Sequence, residues 1–296
     1  MKLHLDTSMM DEILRQWDGA EDYSAVYEMP VFREMLRHTE DFNRRKISPE
    51  EYLADFMRNA EMKSRRAEIE QNLAIIRSVD LNRLASQIAA CLPPLDEALE
   101  FTIHPFMGRA GQALWDKVAI DVVSWPEPCD PDEFLNRCVL TLIRHEVHHL
   151  GYMRLRRVAD IGELTTRSLL AADFILNMQM EGGAEVCGGQ NEGRPLNGKE
   201  RERLREGVIR YHSLTARWLS DPDGEITEAD FDDYYTLWGQ DSAAYWMGEY
   251  GCRALIESSQ AADTAACMAM EPQEWFDRLC ALFEQTTNGG SRHAQS

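Results

Sequence analysis

The chain has 296 residues, enough to bury one large core or two smaller ones. Its 44% hydrophobic and 28% charged residues are typical of a folded globular protein rather than of a disordered chain. Because 51 Asp and Glu outnumber 31 Lys and Arg, the net charge is −20, and repulsion disfavours binding to nucleic acid or to an acidic membrane surface.

The start of the chain shows one lysine and no long apolar run before acidic residues appear, so we expect no signal peptide. No stretch approaches the roughly 20 apolar residues of a membrane-spanning helix. The seven cysteines are odd in number and scattered, without a C-x-x-C pair, which predicts reduced thiols that mostly fill the core. A cytoplasmic protein is therefore expected, and its oligomeric state is left open.

Residues 6–90 have the apolar spacing of helices, with hydrophobic side chains recurring every three or four positions. Ser48 followed by Pro49 predicts a helix start, since serine caps helices and proline is favoured in their first turn. Pro93 and Pro94 interrupt the pattern. The sequence thus predicts a helical N-terminal region over residues 1–95.

Two short stretches, 101–106 and 118–125, are rich in β-branched and aromatic residues and are bounded by Gly and Pro, which predicts strands. The second could pair with an extended peptide as an edge strand, or lie inside a sheet. From Asp132 to Tyr152 the pattern is again helical. We expect a predominantly helical α+β protein, in which a small sheet packs on the helix over 132–152.

Further helices are predicted in the second half of the chain, and a Gly/Asn/Pro-rich loop is predicted at 188–198. The predicted helical ranges are 163–187, 199–219, 227–238, 241–259 and 271–285. Residues 286–296 are predicted to form a flexible tail.

Residues 144–152 read RHEVHHLGY. On a helix, His145 and His149 lie about 40° apart, one turn above the other, while Glu146 is displaced by about 100°. This is the H-E-x-x-H pattern, two zinc ligands with a carboxylate beside the bound water. His148 could replace His149 as an i, i+3 ligand, but we expect it to face substrate or solvent.

A catalytic zinc site needs a third protein ligand, and no further histidine follows at the spacing of the three-histidine pattern. Glu181 and Glu185 share a helical face, so Glu181 is the predicted third ligand, and Glu185 is predicted to hydrogen-bond a liganding imidazole. Gly182 and Gly183 favour close approach of a neighbour such as the metal helix, the helix that carries His145 and His149. Alternatively, they end the helix and leave both glutamates solvated.

Three motifs together, HEVHH at 145–149, EGGAE at 181–185 and YWMG at 245–248, resemble those of the gluzincin-type metallopeptidases. The likeness is greatest to families of zinc-dependent peptidases with an E-G-x-A-E second motif, and it covers roughly residues 100–260. It implies a zincin-like peptidase domain over residues 96–285.

The resemblance also implies roles for individual residues. His145, His149 and Glu181 would hold zinc, Glu146 would be the general base, and Tyr245 would lie near the oxyanion. A phenol close to a developing oxyanion stabilises it, which makes Tyr245 plausible by itself. Neighbouring tyrosines are rivals for this role, and a tyrosine of the core is the common alternative. The rivals are Tyr211, Tyr234, Tyr235 and Tyr250.

The sequence therefore predicts a zinc-dependent metallopeptidase that hydrolyses peptide bonds in a peptide or protein substrate. The alternative is a catalytically inactive, zincin-like metal-binding protein with a regulatory or binding role. Substrate, cleavage preference and endo- or exopeptidase action are left open.

Overall fold

The computed structural model describes residues 1–289 except 20, 44, 58, 107–110, 124–128, 157, 159, 160, 240 and 241. It is predominantly helical and contains a small four-stranded mixed sheet, which confirms the predicted balance of helix and strand. Among the described residues, none of the helices combines the length and the apolar run needed to cross a bilayer.

Contacts divide the chain into two compact units, and both are discontinuous in sequence. The first unit comprises residues 1–88 and 96–150, and the second comprises residues 89–95 and 151–296. The predicted division of the chain near residue 95 stays a prediction.

The sheet lies in the first unit, with strand order β1-β2-β4-β3. Strands β1, β2 and β4 pair in parallel, and β3 pairs antiparallel with β4. The strands are β1 (Lys2–Leu5), β2 (Glu100–Phe106), β3 (Gln112–Leu114) and β4 (Lys117–Asp121).

Both predicted strands are confirmed, although residues 124 and 125 of the second lie outside the described part of the chain. Because β4 has partners on both sides, it is an interior strand, and its use as a substrate-binding edge is wrong. The edge beside it is β3. Neither β1 nor β3 was predicted.

The N-terminal part of the first unit is helical, as predicted. Met9, Met10 and Ile13 are fully buried where α1 packs against β2. The predicted start at Ser48 is confirmed, because its Oγ accepts a hydrogen bond from the Glu51 amide at 3.1 Å. These helices are α1 (Ser8–Trp17), α2 (Ser24–Tyr27), α3 (Pro30–Asn43), α4 (Pro49–Met57), α5 (Asn59–Ser64), α6 (Arg66–Arg77) and α7 (Leu81–Ala90).

The predicted helix over 132–152 is built from three successive segments: α8 (Pro131–Glu133), a π-helical segment (Phe134–Leu140) and α9 (Thr141–Leu155). Asp130 caps the start, since its carboxylate accepts hydrogen bonds from the first amides of α8. The π-helical segment packs against β4 and α6 and buries Phe134 and Val139. The segments that lead into α9 are therefore capped at their start and anchored by buried side chains.

The second unit is a group of helices in which α10 and α13 pack together most extensively. α10 runs without a break through Gly182 and Gly183, so the alternative that these glycines end the helix is wrong. The helices are α10 (Arg167–Gly189), α11 (Gly198–Leu219), α12 (Glu228–Tyr235), α13 (Ala243–Glu257), α14 (Thr264–Ala269) and α15 (Pro272–Gly289). Residues 286–289, which were expected in the flexible tail, are the last residues of α15, and residues 290–296 lie outside the described part of the chain.

Candidate metal centre

The two histidines of H-E-x-x-H lie one turn apart on α9, as the helical spacing predicts. Their Nε2 atoms are 2.9 Å apart, and their rings meet edge to face with centroids separated by 4.5 Å. Both imidazoles therefore direct a nitrogen with a potential lone pair at the same small volume. Such convergence is what a shared metal ion requires.

Glu181 on α10 contributes a carboxylate oxygen to the same cluster. One potential ligand atom from each of His145, His149 and Glu181 lies within 4.8 Å of the other two. Glu181 and His149 are buried, and His145 is half-buried. Two zinc ligands at about 2.1 Å in tetrahedral geometry are about 3.4 Å apart. The two Nε2 atoms are 2.9 Å apart, and the three ligand atoms lie within 4.8 Å of one another. The donor set fits zinc.

A buried hydrogen-bond chain links Tyr152, near the end of α9, to Gln179 on α10. The Tyr152 hydroxyl, three residues after His149, donates to Gln179 Oε1 at 2.5 Å. The Gln179 amide in turn donates to the carbonyls of Cys267 and Met270 at 2.8 and 3.0 Å. Tyr152 and Gln179 are fully buried. Gln179 is two residues before Glu181, so this chain ties down the turn of α10 that precedes Glu181.

Gly182 allows the backbones of α10 and α13 to touch. A Cβ added at Gly182 would lie 2.3–2.5 Å from backbone atoms of Gly248, and one added at Gly248 would lie 2.1 Å from the Met178 carbonyl oxygen. For Gly182 the predicted close approach is confirmed, and its neighbour is α13 rather than the helix that carries the two histidines. The glycine of EGGAE packs on the glycine of YWMG, so two of the sequence motifs are in direct contact.

Glu146 is buried beside Gly111, the residue that immediately precedes β3. A Cβ at position 111 would lie 2.5 Å from both Cγ and Oε1 of Glu146. Only glycine leaves space for this carboxylate, so Gly111 belongs to the site. Sequence reasoning missed it, because a single glycine before a short strand carries no signal of its distant contact.

His148 does not belong to the cluster. It is fully buried on α9, so the expectation that it could face solvent is wrong, and the described cluster uses His149 instead. Its place in the interior agrees with the broad apolar surface of the same helix, where Val147 and Leu150 are also buried.

Glu185 lies one turn beyond Glu181 on α10 and is partly exposed. Its charge acts on Glu249 of α13. Burial raises the pKa of Glu249, Arg253 opposes that rise, and the charge of Glu185 adds to it. The predicted hydrogen bond from a liganding imidazole to Glu185 stays a prediction.

Tyr245 is half-buried in the first turn of α13, with its ring 6.0 Å from that of Trp238. Two of its rivals have structural roles: Tyr211 packs in the core on Phe174, and Tyr234 donates to Asp173 at 2.6 Å. Tyr245 lies one turn before Gly248 on α13, within the motif that packs on α10.

Of the residues predicted for the site, His145, His149 and Glu181 form one cluster, with Glu146 adjacent in sequence to the first. Tyr245 and Glu185 lie on the two helices that cross at Gly182 and Gly248. Comparisons of the chain with protein-family models, with curated proteins and with solved structures find no match.

Proposed function

We propose that the protein is a zinc-dependent metallopeptidase whose ion is held by His145, His149 and Glu181. The observation that carries the proposal is the convergence of one ligand atom from each of these residues to within 4.8 Å. When bound, zinc supplies a Lewis acid that polarises a carbonyl and lowers the pKa of a coordinated water to about 7.

The chemistry of the donors favours zinc over the common alkaline-earth ions. Mg²⁺ and Ca²⁺ prefer shells made of oxygen, whereas two imidazole nitrogens with one carboxylate suit zinc. Structural zinc sites are closed by four protein ligands, and three leave a position for water or substrate. Three donors among the described residues therefore support a catalytic rather than a structural site.

Glu146 is the residue that moves protons in this proposal. Its carboxylate accepts the proton of the attacking water and delivers it to the amine that leaves when the peptide bond breaks. The Glu146 side chain is buried against Gly111, which restricts its movement. A preorganised base of this kind lowers the barrier because little reorganisation is needed during the reaction.

Tyr245 is assigned the stabilisation of the carbonyl oxygen as it becomes negative, by donation from its hydroxyl. Glu185 is assigned a hydrogen bond to a liganding imidazole. The proposed architecture of residues 96–285 is zincin-like, and it is supported by the contact between Glu146 and the residue just before the edge strand β3. The substrate is a peptide or protein, and the compartment is the cytoplasm.

The test compares the wild-type protein with Glu146→Gln after reconstitution with zinc. Both are incubated with a mixed peptide library, and cleavage products are identified by mass spectrometry. We expect chelator-sensitive cleavage by the wild type, and a loss of about 10²- to 10⁴-fold in Glu146→Gln because the base is removed. Both proteins should retain stoichiometric zinc. Glu206→Gln, which changes an exposed glutamate on α11, is the matched control.

Cleavage by Glu146→Gln at the wild-type rate would contradict the mechanism. Stoichiometric zinc in both proteins without cleavage by either would favour the inactive metal-binding alternative. Absence of zinc binding by the wild type would contradict both the peptidase proposal and the inactive metal-binding alternative.

A further inference from the structure

Two pairs of cysteines bring their thiols into contact. The Cys129 and Cys138 side chains are hydrogen-bonded to each other, and both are partly exposed. The Cys252 and Cys267 thiols also meet, but both are fully buried, and the Cys267 thiol donates to the Cys252 carbonyl at 3.8 Å. The first pair is accessible to small molecules, and the second is a buried counterpart in the same protein.

The accessible pair brackets the base of the metal helix. Cys129 directly precedes Asp130, the residue that caps α8, and Cys138 lies in the π-helical segment that continues into α9. π-helical turns inside helices are rare and are frequently found at functional sites. A covalent bond between these two positions would close a loop around the cap.

We propose that Cys129 and Cys138 are a redox-active pair that a peroxide converts reversibly into an intramolecular disulfide. The inference does not rest on the proposed peptidase function, since it uses neither zinc nor the residues assigned to it.

The reaction proceeds in two steps. The Cys129 thiolate attacks one oxygen of hydrogen peroxide, and an S–O bond forms while the O–O bond breaks. The other oxygen is protonated and leaves as water. The Cys138 sulfur then attacks the Cys129 sulfenic acid, the S–S bond forms, and the S–O bond breaks. The Cys138 proton leaves with the second water. Two thiols lose two electrons in total, and the peroxide gains them.

The order of the two steps follows from the surroundings of Cys138. The pKa of this thiol is raised to about 11. Burial is the largest cause, contact with Cys129 and the charge of Asp121 act in the same direction, and Arg137 opposes them. Little Cys138 thiolate exists at neutral pH, and the thiolate is the nucleophile that attacks peroxide. We therefore assign the first attack to Cys129, and Cys138 gives up its proton as it attacks the adjacent sulfenic acid in the second step.

The test uses non-reducing tryptic digestion after the folded full-length protein has been treated with hydrogen peroxide and its remaining thiols alkylated. Trypsin cuts after Arg137, so the two cysteines fall in separate peptides, 118–137 and 138–144. We expect these peptides to appear as a disulfide-linked pair that dithiothreitol separates. The pair should form at least about tenfold faster than a link between Cys252 and Cys267, because reactivity follows exposure.

Single variants test the two roles. In Cys138→Ser, Cys129 should stop at the sulfenic acid and be labelled by dimedone, whereas Cys129→Ser should show no such label at Cys138. Circular dichroism checks that each variant folds, and if one does not, the other still decides. Failure of the wild type to link the two peptides, or equal rates for the exposed and buried pairs, would overturn the proposal.

Discussion

Two carboxylates of the second unit are almost equally buried but have opposite surroundings. Asp230 on α12 is 4% exposed, and Glu181 on α10 is 5% exposed. Asp230 accepts hydrogen bonds from the amide and hydroxyl of Thr227 at 3.0 and 2.8 Å, from Arg167 at 3.1 Å and from Trp218 at 2.9 Å. Glu181 instead shares a cluster with imidazole nitrogens of His145 and His149.

We assign the first carboxylate a role in folding, and we propose a bound ion only at the second. Removing a carboxylate from water is costly unless donors or a cation compensate. Burial by itself raises the pKa of Asp230, but the hydrogen bonds from Thr227, Arg167 and Trp218 outweigh it and lower the pKa to about 2. Around Glu181 the neighbouring atoms include imidazole nitrogens, and in the proposed site one cation would bind all three side chains.

The largest expected effect is that of Glu181→Ala on zinc affinity. Loss of an outer-shell partner typically weakens metal binding 10- to 100-fold, so loss of a direct ligand should cost at least about 100-fold. Competition with a chromogenic chelator measures the change. Asp230→Ala is the matched control and should bind zinc with wild-type affinity. Equal affinities for Glu181→Ala and the wild type would remove Glu181 from the metal site.

Asp230→Asn should reduce the free energy of unfolding by about 2–3 kcal/mol at pH 7, because a shift from about 4 to about 2 corresponds to about that much stabilisation. The folded pKa is the lower one. The contribution is therefore fully present above pH 4 and is lost as the pH falls towards 2. Denaturant unfolding between pH 7 and pH 2 measures it.

Asp232→Asn, an exposed change on the same helix, is the control for Asp230→Asn. A difference between Asp230→Asn and the wild type that persisted undiminished at pH 2 would show that the charge of Asp230 is not its source.

Thr227→Val should have the smallest effect, about 1 kcal/mol of unfolding free energy. It removes the hydroxyl that donates to Asp230 and that also accepts from the Asp230 amide at 3.2 Å. The other donors to Asp230 remain. A loss as large as that in Asp230→Asn, measured by the same denaturation at pH 7, would mean that the carboxylate depends on Thr227 alone.

The local part of the site could be predicted from the sequence. His145 and His149 share a face because helical geometry depends on spacing alone, and the helix itself follows from its apolar pattern. Glu181 was found from a glutamate pair around two glycines, and it joins the cluster. Tyr245 was selected through the resemblance, and its role stays a prediction.

Contacts distant in sequence could not be predicted. β1 is four residues long and pairs with β2, which begins at Glu100, so nothing nearby in the chain marks it as a strand. β3 is shorter still, and its place at the sheet edge depends on β4. The contact of Gly111 with Glu146 likewise depends on how the sheet is packed, not on the residues adjacent to either.

The backbone contact between Gly182 and Gly248 makes substitutions in one helix depend on the sequence of the other. A side chain at either position would separate α10 from α13, and so would displace Glu181 and Tyr245 relative to each other. Neither glycine can be exchanged without a compensating change in the other helix. In any set of relatives or designed variants, we therefore expect the two positions to be inherited as a pair, and transplanting one helix alone into another scaffold should fail.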